Sequence, residues 1–156
     1  VVDTGKGRIY IHSSKVEDSN RGGYGKISAD RVLEVSYNVG IVKLIKKHYD
    51  RQPERFIKKL ETYGFTKPIG FPIKGEGIPV VPTPSDKRWN KISLEWMYWG
   101  YGISVTPMQT LMFYNAVENN GIMVKPYFVK ELRRQDKTEK VFDTEVVNPK
   151  IAYDIT

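Results

Sequence analysis

The chain has 156 residues, 40% of them hydrophobic, with 25 basic against 18 acidic side chains and a net charge of +7. That composition suits one soluble globular domain and excludes disorder, collagen-like repeats and, since lysines interrupt the apolar run at Val39 to Ile45, a bilayer-spanning helix. With no cysteine there can be no disulfide, thiolate metal site or cysteine nucleophile, and His12 and His48 stand far apart without ligand neighbours, so no metal and no cofactor is expected.

Val1-Val2-Asp3-Thr4-Gly5 lacks both an initiator methionine and a signal-peptide layout, and is expected to be a cut inside a longer protein. Arg8 to His12 reads as a short strand, and Arg21-Gly22-Gly23-Tyr24-Gly25 as turn chemistry. A first helix is predicted next, capped by Ser28, with Asp30 in its first turn and Val32, Leu33 and Val35 as apolar contacts up to Ser36. A second helix is predicted from about Val39 to Tyr49. A third follows Pro53, burying Phe56, Ile57, Leu60 and Tyr63 before Gly64 stops it, and the helices are expected to pack as a hairpin. Lys43, Lys46, Lys47 and Asp50 fall on one face of the second helix, opposite Val42, Ile45 and Tyr49, and are expected to be solvated rather than to bind nucleic acid.

Residues 64–90 form a long loop in which Pro68, Pro72, Pro79, Pro82 and Pro84 forbid regular helix; it is expected either to pack on another part of the protein or to be partly disordered. Alternation of Ile92, Leu94, Trp96 and Tyr98 suits a strand, while context also allows a helical turn, and helix is the reading taken. Thr106-Pro107-Met108-Gln109 is a capping box with proline in the first turn, opening a helix that carries Leu111, Met112, Ala116 and Val117 and stops at Gly121. Residues 127–134 and 140–142, separated by Gln135 to Thr138, read as a charged hairpin. Asn148-Pro149 reads as the start of a further helix.

Val32-Leu33-Glu34-Val35-Ser36-Tyr37-Asn38-Val39-Gly40 resembles the Ser-x-Asn segment of the transpeptidase domain of class B penicillin-binding proteins. The run Gly100-Tyr101-Gly102-Ile103-Ser104-Val105-Thr106-Pro107-Met108-Gln109 resembles the Gly-Tyr-Gly, Val-Thr-Pro, Gln run of the same family. Val2-Asp3-Thr4, Tyr24-Gly25, Asn119-Asn120-Gly121 and Lys125-Pro126 add to the likeness, which covers nearly the whole chain. Of the three family signatures, Ser-x-x-Lys, Ser-x-Asn and Lys-Thr-Gly, only the second is present. Residues 1–156 are therefore expected to be a partial transpeptidase domain lying between the other two motifs, a pseudoenzyme being the alternative.

The resemblance implies an α+β fold, of which this segment supplies chiefly a helical lobe with short peripheral strands or a hairpin. It implies a peptidoglycan D,D-transpeptidase in which a serine hydroxyl, absent here, attacks a D-alanyl-D-alanine stem peptide and is trapped by β-lactam antibiotics. Ser36 would join the proton relay and Asn38 would hold the substrate's backbone amide. Tyr37, larger than the residue usual between them, would lie beside substrate at the cleft rim. The Gly100 to Gln109 run reads as supporting scaffold. The parent is expected on the extracytoplasmic face of the bacterial inner membrane, anchored upstream, among other cell-wall synthesis proteins of division or cell shape. The segment alone is expected to be inactive and prone to self-association. A non-catalytic binding or sensor module of the same fold, or a basic polymer-binding domain, is the alternative.

Overall fold

The computed structural model describes residues 1–12, 14–20, 22–72 and 74–151. These fall into two compact units, Val1–Ile57 with Pro82–Ile103, and Lys58–Val81 with Ser104–Thr156. Helices and short antiparallel strand pairs coexist in both, an α+β architecture in which the strands form two-stranded sheets.

In the first unit β1 (Val2–Asp3) pairs with β4 (Lys26–Ile27), and β2 (Arg8–Ile11) forms a hairpin with β3 (Ser14–Glu17). Strand alternation turns Ile11 and Val16 inward, where they join Val2, Val32, Tyr37, Val39, Val42, Leu94 and Tyr98 in one apolar cluster. Helix α1 (Ala29–Glu34) begins at Ser28, whose hydroxyl accepts the Arg31 N–H, and α2 (Asn38–Tyr49) follows after a sharp reversal. The helical hairpin is α1 against α2. Gly40 makes it possible, because a Cβ there would lie 2.6 Å from a Val32 methyl, and Val32 itself is fully buried. Leu33, expected inside, is 73% exposed, since the single core-facing stripe of so short a helix is taken by Val32.

The lysine face of α2 is less solvated than expected. Lys43 donates to the Asp3 carbonyl at 2.6 Å, and Lys46 pairs with Asp50 at 3.0 Å and with the buried Glu95 at 3.5 Å. His12 approaches the same Glu95 carboxylate at 3.6 Å, and both His12 and His48 are exposed. Among the described residues no group of three or more His, Cys, Asp or Glu side chains is arranged to hold a metal ion. Helix α3 (Pro53–Thr62) then starts at its proline, with the Phe56 ring edge-on to Tyr49 and Tyr98. Its apolar residues are half-buried rather than enclosed. The ambiguous aromatic stretch is helical, as α4 (Ser93–Met97), with Leu94 and Met97 buried.

In the second unit α5 (Pro107–Glu118) has the full reciprocal capping box. Gln109 is entirely buried and its amide makes bonds at both ends: Oε1 accepts from the Thr106 N–H, while Nε2 donates to the carbonyls of Gly64 at 2.9 Å and Lys67 at 3.0 Å. The residue that starts the helix therefore also fixes the end of the turn after α3. Met112 and Ala116 face the core with Met123 and Ile151, while Leu111 and Val117 on the same helix are 56% and 47% exposed.

Strand β5 (Met123–Val124) pairs with β8 (Val146–Asn148), and β6 (Glu131–Arg134) with β7 (Lys137–Val141). The hairpin turn is shorter than the expected one, only Gln135 and Asp136, both with positive φ, the two-residue geometry that matches strand twist. Asn148 closes β8, its Oδ1 accepts the Lys150 N–H, and Ile151 lies in a 3-10 turn. The remainder of that expected helix, 152–156, lies outside the described residues.

The long loop is organised by its own side chains. The Glu76 carboxylate accepts the N–H groups of Ile69, Gly70 and Phe71, and Asp86 accepts that of Thr83. Desolvation acts to raise the Glu76 pKa, but the three N–H donors, with Lys125 adding, outweigh it and hold the carboxyl below its ordinary value. A depressed folded-state pKa means the tie is complete above the ordinary carboxylate range of about 4 and is lost as pH falls through the lower folded value. Amide exchange protection at Ile69, Gly70 and Phe71 should accordingly fall on acidification, and Glu76→Gln should abolish that pH dependence. Protection that is flat with pH in the unaltered protein would remove Glu76 as the tie.

Candidate functional site

The α1–α2 junction concentrates the candidate side chains. Ser36 adopts a left-handed conformation, φ 49°, just past the end of α1. Its N–H donates to the Leu33 carbonyl at 3.0 Å and the next N–H, of Tyr37, to the Val32 carbonyl at 2.9 Å. This pair of bonds is a Schellman closure, usually built on glycine because a Cβ in the left-handed region costs about 1 kcal/mol. Here a serine occupies it.

The sequence reading set Tyr37 beside substrate; the structure puts its ring in the core instead, 2% exposed. The Schellman turn aims the second residue past the helix end back at Val32, and Tyr24 packs edge-on against the ring at 4.9 Å. The Tyr37 hydroxyl donates to the Asn20 carbonyl, and burial, then the charge of Asp18, raises its pKa. On either side, Ser36 and Asn38 are exposed, and among the described residues neither side chain is engaged in a hydrogen bond. The tripeptide is thus pinned by its middle residue and presents its first and third.

Tyr37 is the N-cap of α2 but supplies no side-chain cap. The cap comes from Asp18, which follows β3: Oδ1 accepts the Asn38 N–H at 2.6 Å and Oδ2 the Val39 N–H at 2.9 Å. Asp18 is itself 5% exposed, and its own N–H donates to the Gly7 carbonyl at 3.0 Å. Its charge lies at the positive end of the helix dipole and occupies those two donors, so they are not open to the oxyanion of a bound acyl group. Sequence reading missed this residue. Twenty positions separate it from Asn38, and an aspartate after a strand carries no local sign of which helix it caps.

A tight framework backs the junction. Thr4, fully buried, donates through Oγ1 to the Gly25 carbonyl at 2.8 Å, and its N–H donates to the same oxygen. The Gly5–Gly7 turn and Gly23 meet backbone to backbone, and a Cβ at Gly7 would lie 2.5 Å from the Tyr37 hydroxyl. In the second unit, a cavity of about 330 Å³ is lined in part by Glu61, Lys67, Met112, Met123 and Lys125; no candidate residue from the sequence opens into it.

Chemically the junction offers a hydroxyl that can donate and accept together, and a carboxamide that can do the same for a peptide group at fixed geometry. It holds no nucleophile with an adjacent base, and neither Ser-x-x-Lys nor Lys-Thr-Gly occurs among the 156 residues.

Residues 2–156 match the family model for the penicillin binding protein transpeptidase domain, and the chain belongs to that family. It is 29% identical over 126 residues to stage V sporulation protein D of Bacillus subtilis, covering 81% of this chain and 19% of that protein. With peptidoglycan D,D-transpeptidase FtsI of Escherichia coli it shares 26% identity over 137 residues, 88% of this chain and 22% of that one. The chain spans about a fifth of the length of these curated relatives. Among solved structures, a peptidoglycan glycosyltransferase from Burkholderia ambifaria has the same fold, with a TM-score of 0.73 at 22% identity over 95% of this chain and 43% of that one. Penicillin binding protein 3 of Mycobacterium tuberculosis, complexed with aztreonam, matches with a TM-score of 0.71 at 26% identity over 92% of this chain and 32% of that one.

Proposed function

We propose that this chain supplies the Ser-x-Asn wall of the active site of a peptidoglycan D,D-transpeptidase. The observation that carries the reading is the junction itself, where Tyr37 is buried while Ser36 and Asn38 are exposed and, among the described residues, make no side-chain hydrogen bond. The naming of one relative as a peptidoglycan D,D-transpeptidase, and of another as complexed with aztreonam or with ampicillin, supports it.

In the reaction proposed, a serine of a Ser-x-x-Lys motif outside these residues attacks the carbonyl carbon of the penultimate D-alanine. The peptide C–N bond breaks, the serine proton passes to the leaving amine, and D-alanine departs. The amine of a neighbouring stem peptide then attacks the ester carbonyl, a new C–N bond forms as the C–O bond to serine breaks, and the amine's proton passes to the released serine oxygen. Ser36 relays protons between the lysines of the Ser-x-x-Lys and Lys-Thr-Gly motifs, neither of which is among these residues, Asn38 grips the substrate's backbone amide in both directions, and Tyr37 props the pair from within. β-Lactams enter as mimics of the acyl donor and stop at the ester. The whole protein works on the extracytoplasmic side of the membrane, where peptidoglycan lies; among the described residues no helix is long and apolar enough to cross a bilayer.

Fluorescent penicillin should label the full-length protein through an ester that survives denaturation. Asn38→Ala should slow that acylation about 100-fold, the scale on which one positioned hydrogen-bonding group acts in acyl transfer. A folded full-length protein that takes no label would sink the enzymatic reading and leave a non-catalytic binding module of the same fold.

A further inference from the structure

An α-helix begins with N–H groups that have no partner inside the helix, and most helices satisfy one of them with the side chain of their own N-cap residue. Helix α2 cannot, because its N-cap is Tyr37, whose ring is committed to the core. Its first two N–H groups, those of Asn38 and Val39, are instead taken one by each oxygen of the Asp18 carboxylate. Two bonds from one rigid group fix the start of the helix in position and also against rotation about its axis. The Asn38 N–H is bonded to the same Cα that carries the Asn38 side chain, so the carboxylate sets where that carboxamide points. Asp18 is held in turn by its 5% exposure and by its own N–H on the Gly7 carbonyl, so the aim is passed from the glycine turn through Asp18 to Asn38.

We infer that Asp18 is a positioning residue of the active site, setting the direction of the Asn38 carboxamide through the backbone at the start of α2. The inference rests on the reading that Asn38 grips the substrate's amide. A charge-assisted pair of bonds suits this task because misplacement of a binding group by a fraction of an ångström is enough to slow a positioned reaction. Asp18 itself touches no substrate, being enclosed behind the junction.

The test uses the full-length protein and two β-lactams, one bearing an acylamino side chain, whose amide Asn38 would hold, and one lacking it. Acylation rates are measured well below the melting midpoint on protein shown to be folded by circular dichroism. Asp18→Asn preserves shape and volume but offers one acceptor to two N–H groups, turning its NH2 against the other. It should slow acylation by the acylamino compound about tenfold, and the compound without the amide much less. Asp18→Ala should act in the same sense and more strongly; where it does not fold, Asp18→Asn carries the test. Asn38→Ala should show the same selectivity between the two compounds. Should Asp18→Asn lower the melting temperature while folded protein reacts at the unaltered rate, or slow both compounds equally, Asp18 is a structural cap alone and the inference falls. A failure of the functional reading looks different: unaltered protein takes no label, or Asn38→Ala labels as well as it does.

Discussion

Replacing Ser36 with glycine is expected to make the protein more stable and far less active. The left-handed φ of 49° at Ser36 is demanded by the Schellman closure of α1, and glycine meets it without the Cβ penalty. Relief of about 1 kcal/mol corresponds to a rise in melting temperature of about 2–4 °C in a domain of this size. The hydroxyl is lost at the same time, and on the proposed relay role its removal should lower the acylation rate of the full-length protein by at least about 100-fold. Opposite signs from one substitution distinguish a residue kept for chemistry from one kept for structure. A fall in melting temperature would show that the hydroxyl stabilises the turn, and an unchanged acylation rate would remove Ser36 from the relay.

Gly23→Ala should be the most damaging single methyl in the first unit. A Cβ at Gly23 would lie 2.0 Å from the Gly5 carbonyl oxygen and 2.7 Å from the Gly7 nitrogen, and its φ is +69°. The obstacles are backbone atoms that cannot rotate aside, so the Gly5–Gly7 turn has to move, and with it the carbonyl that holds Asp18. Overpacking and backbone strain together predict a loss of about 3 kcal/mol or more, which is a drop in melting temperature of at least about 6 °C. Gly25→Ala is the control, because its φ of +63° is similar while nothing lies within 4 Å of the added carbon. It should cost only the conformational term of about 1 kcal/mol. Equal losses at the two positions would mean that the close approach contributes nothing.

What could be read in advance was what is local. Thr106, Pro107 and Gln109 declare α5 within four residues, and Ser28 declares α1, because each cap and its target lie one turn apart. Ser36 and Asn38 were legible as a motif through resemblance. The burial of Tyr37 was not, since it depends on Val32 and Tyr24 arriving from either side of a turn whose left-handed residue is a serine and carries no glycine signal. Leu33, Leu111 and Val117 show the limit of periodicity, which marks a helix that is apolar on more than one side without saying which side will be covered. Glu76 illustrates the same point in a loop. Its carboxylate gathers three N–H groups five to seven residues away, a pattern with no repeat to detect. The far half of Gln109's role, its grip on Gly64 and Lys67, was equally silent, because those carbonyls lie more than forty positions upstream.

The borrowed cap of α2 also bears on how the molecule comes into being. A helix whose first donors are satisfied from 20 and 21 residues away gains little from starting alone, and nucleation is the costly step. The closing of that span must precede or accompany the coiling of α2, so the junction should be among the later, non-local features to consolidate on refolding from denaturant. During synthesis the order favours it. Asp18 leaves the ribosome before Asn38 does, and at about 5–20 residues per second the hairpin that precedes the carboxylate has a second or more to form before the helix that needs it emerges.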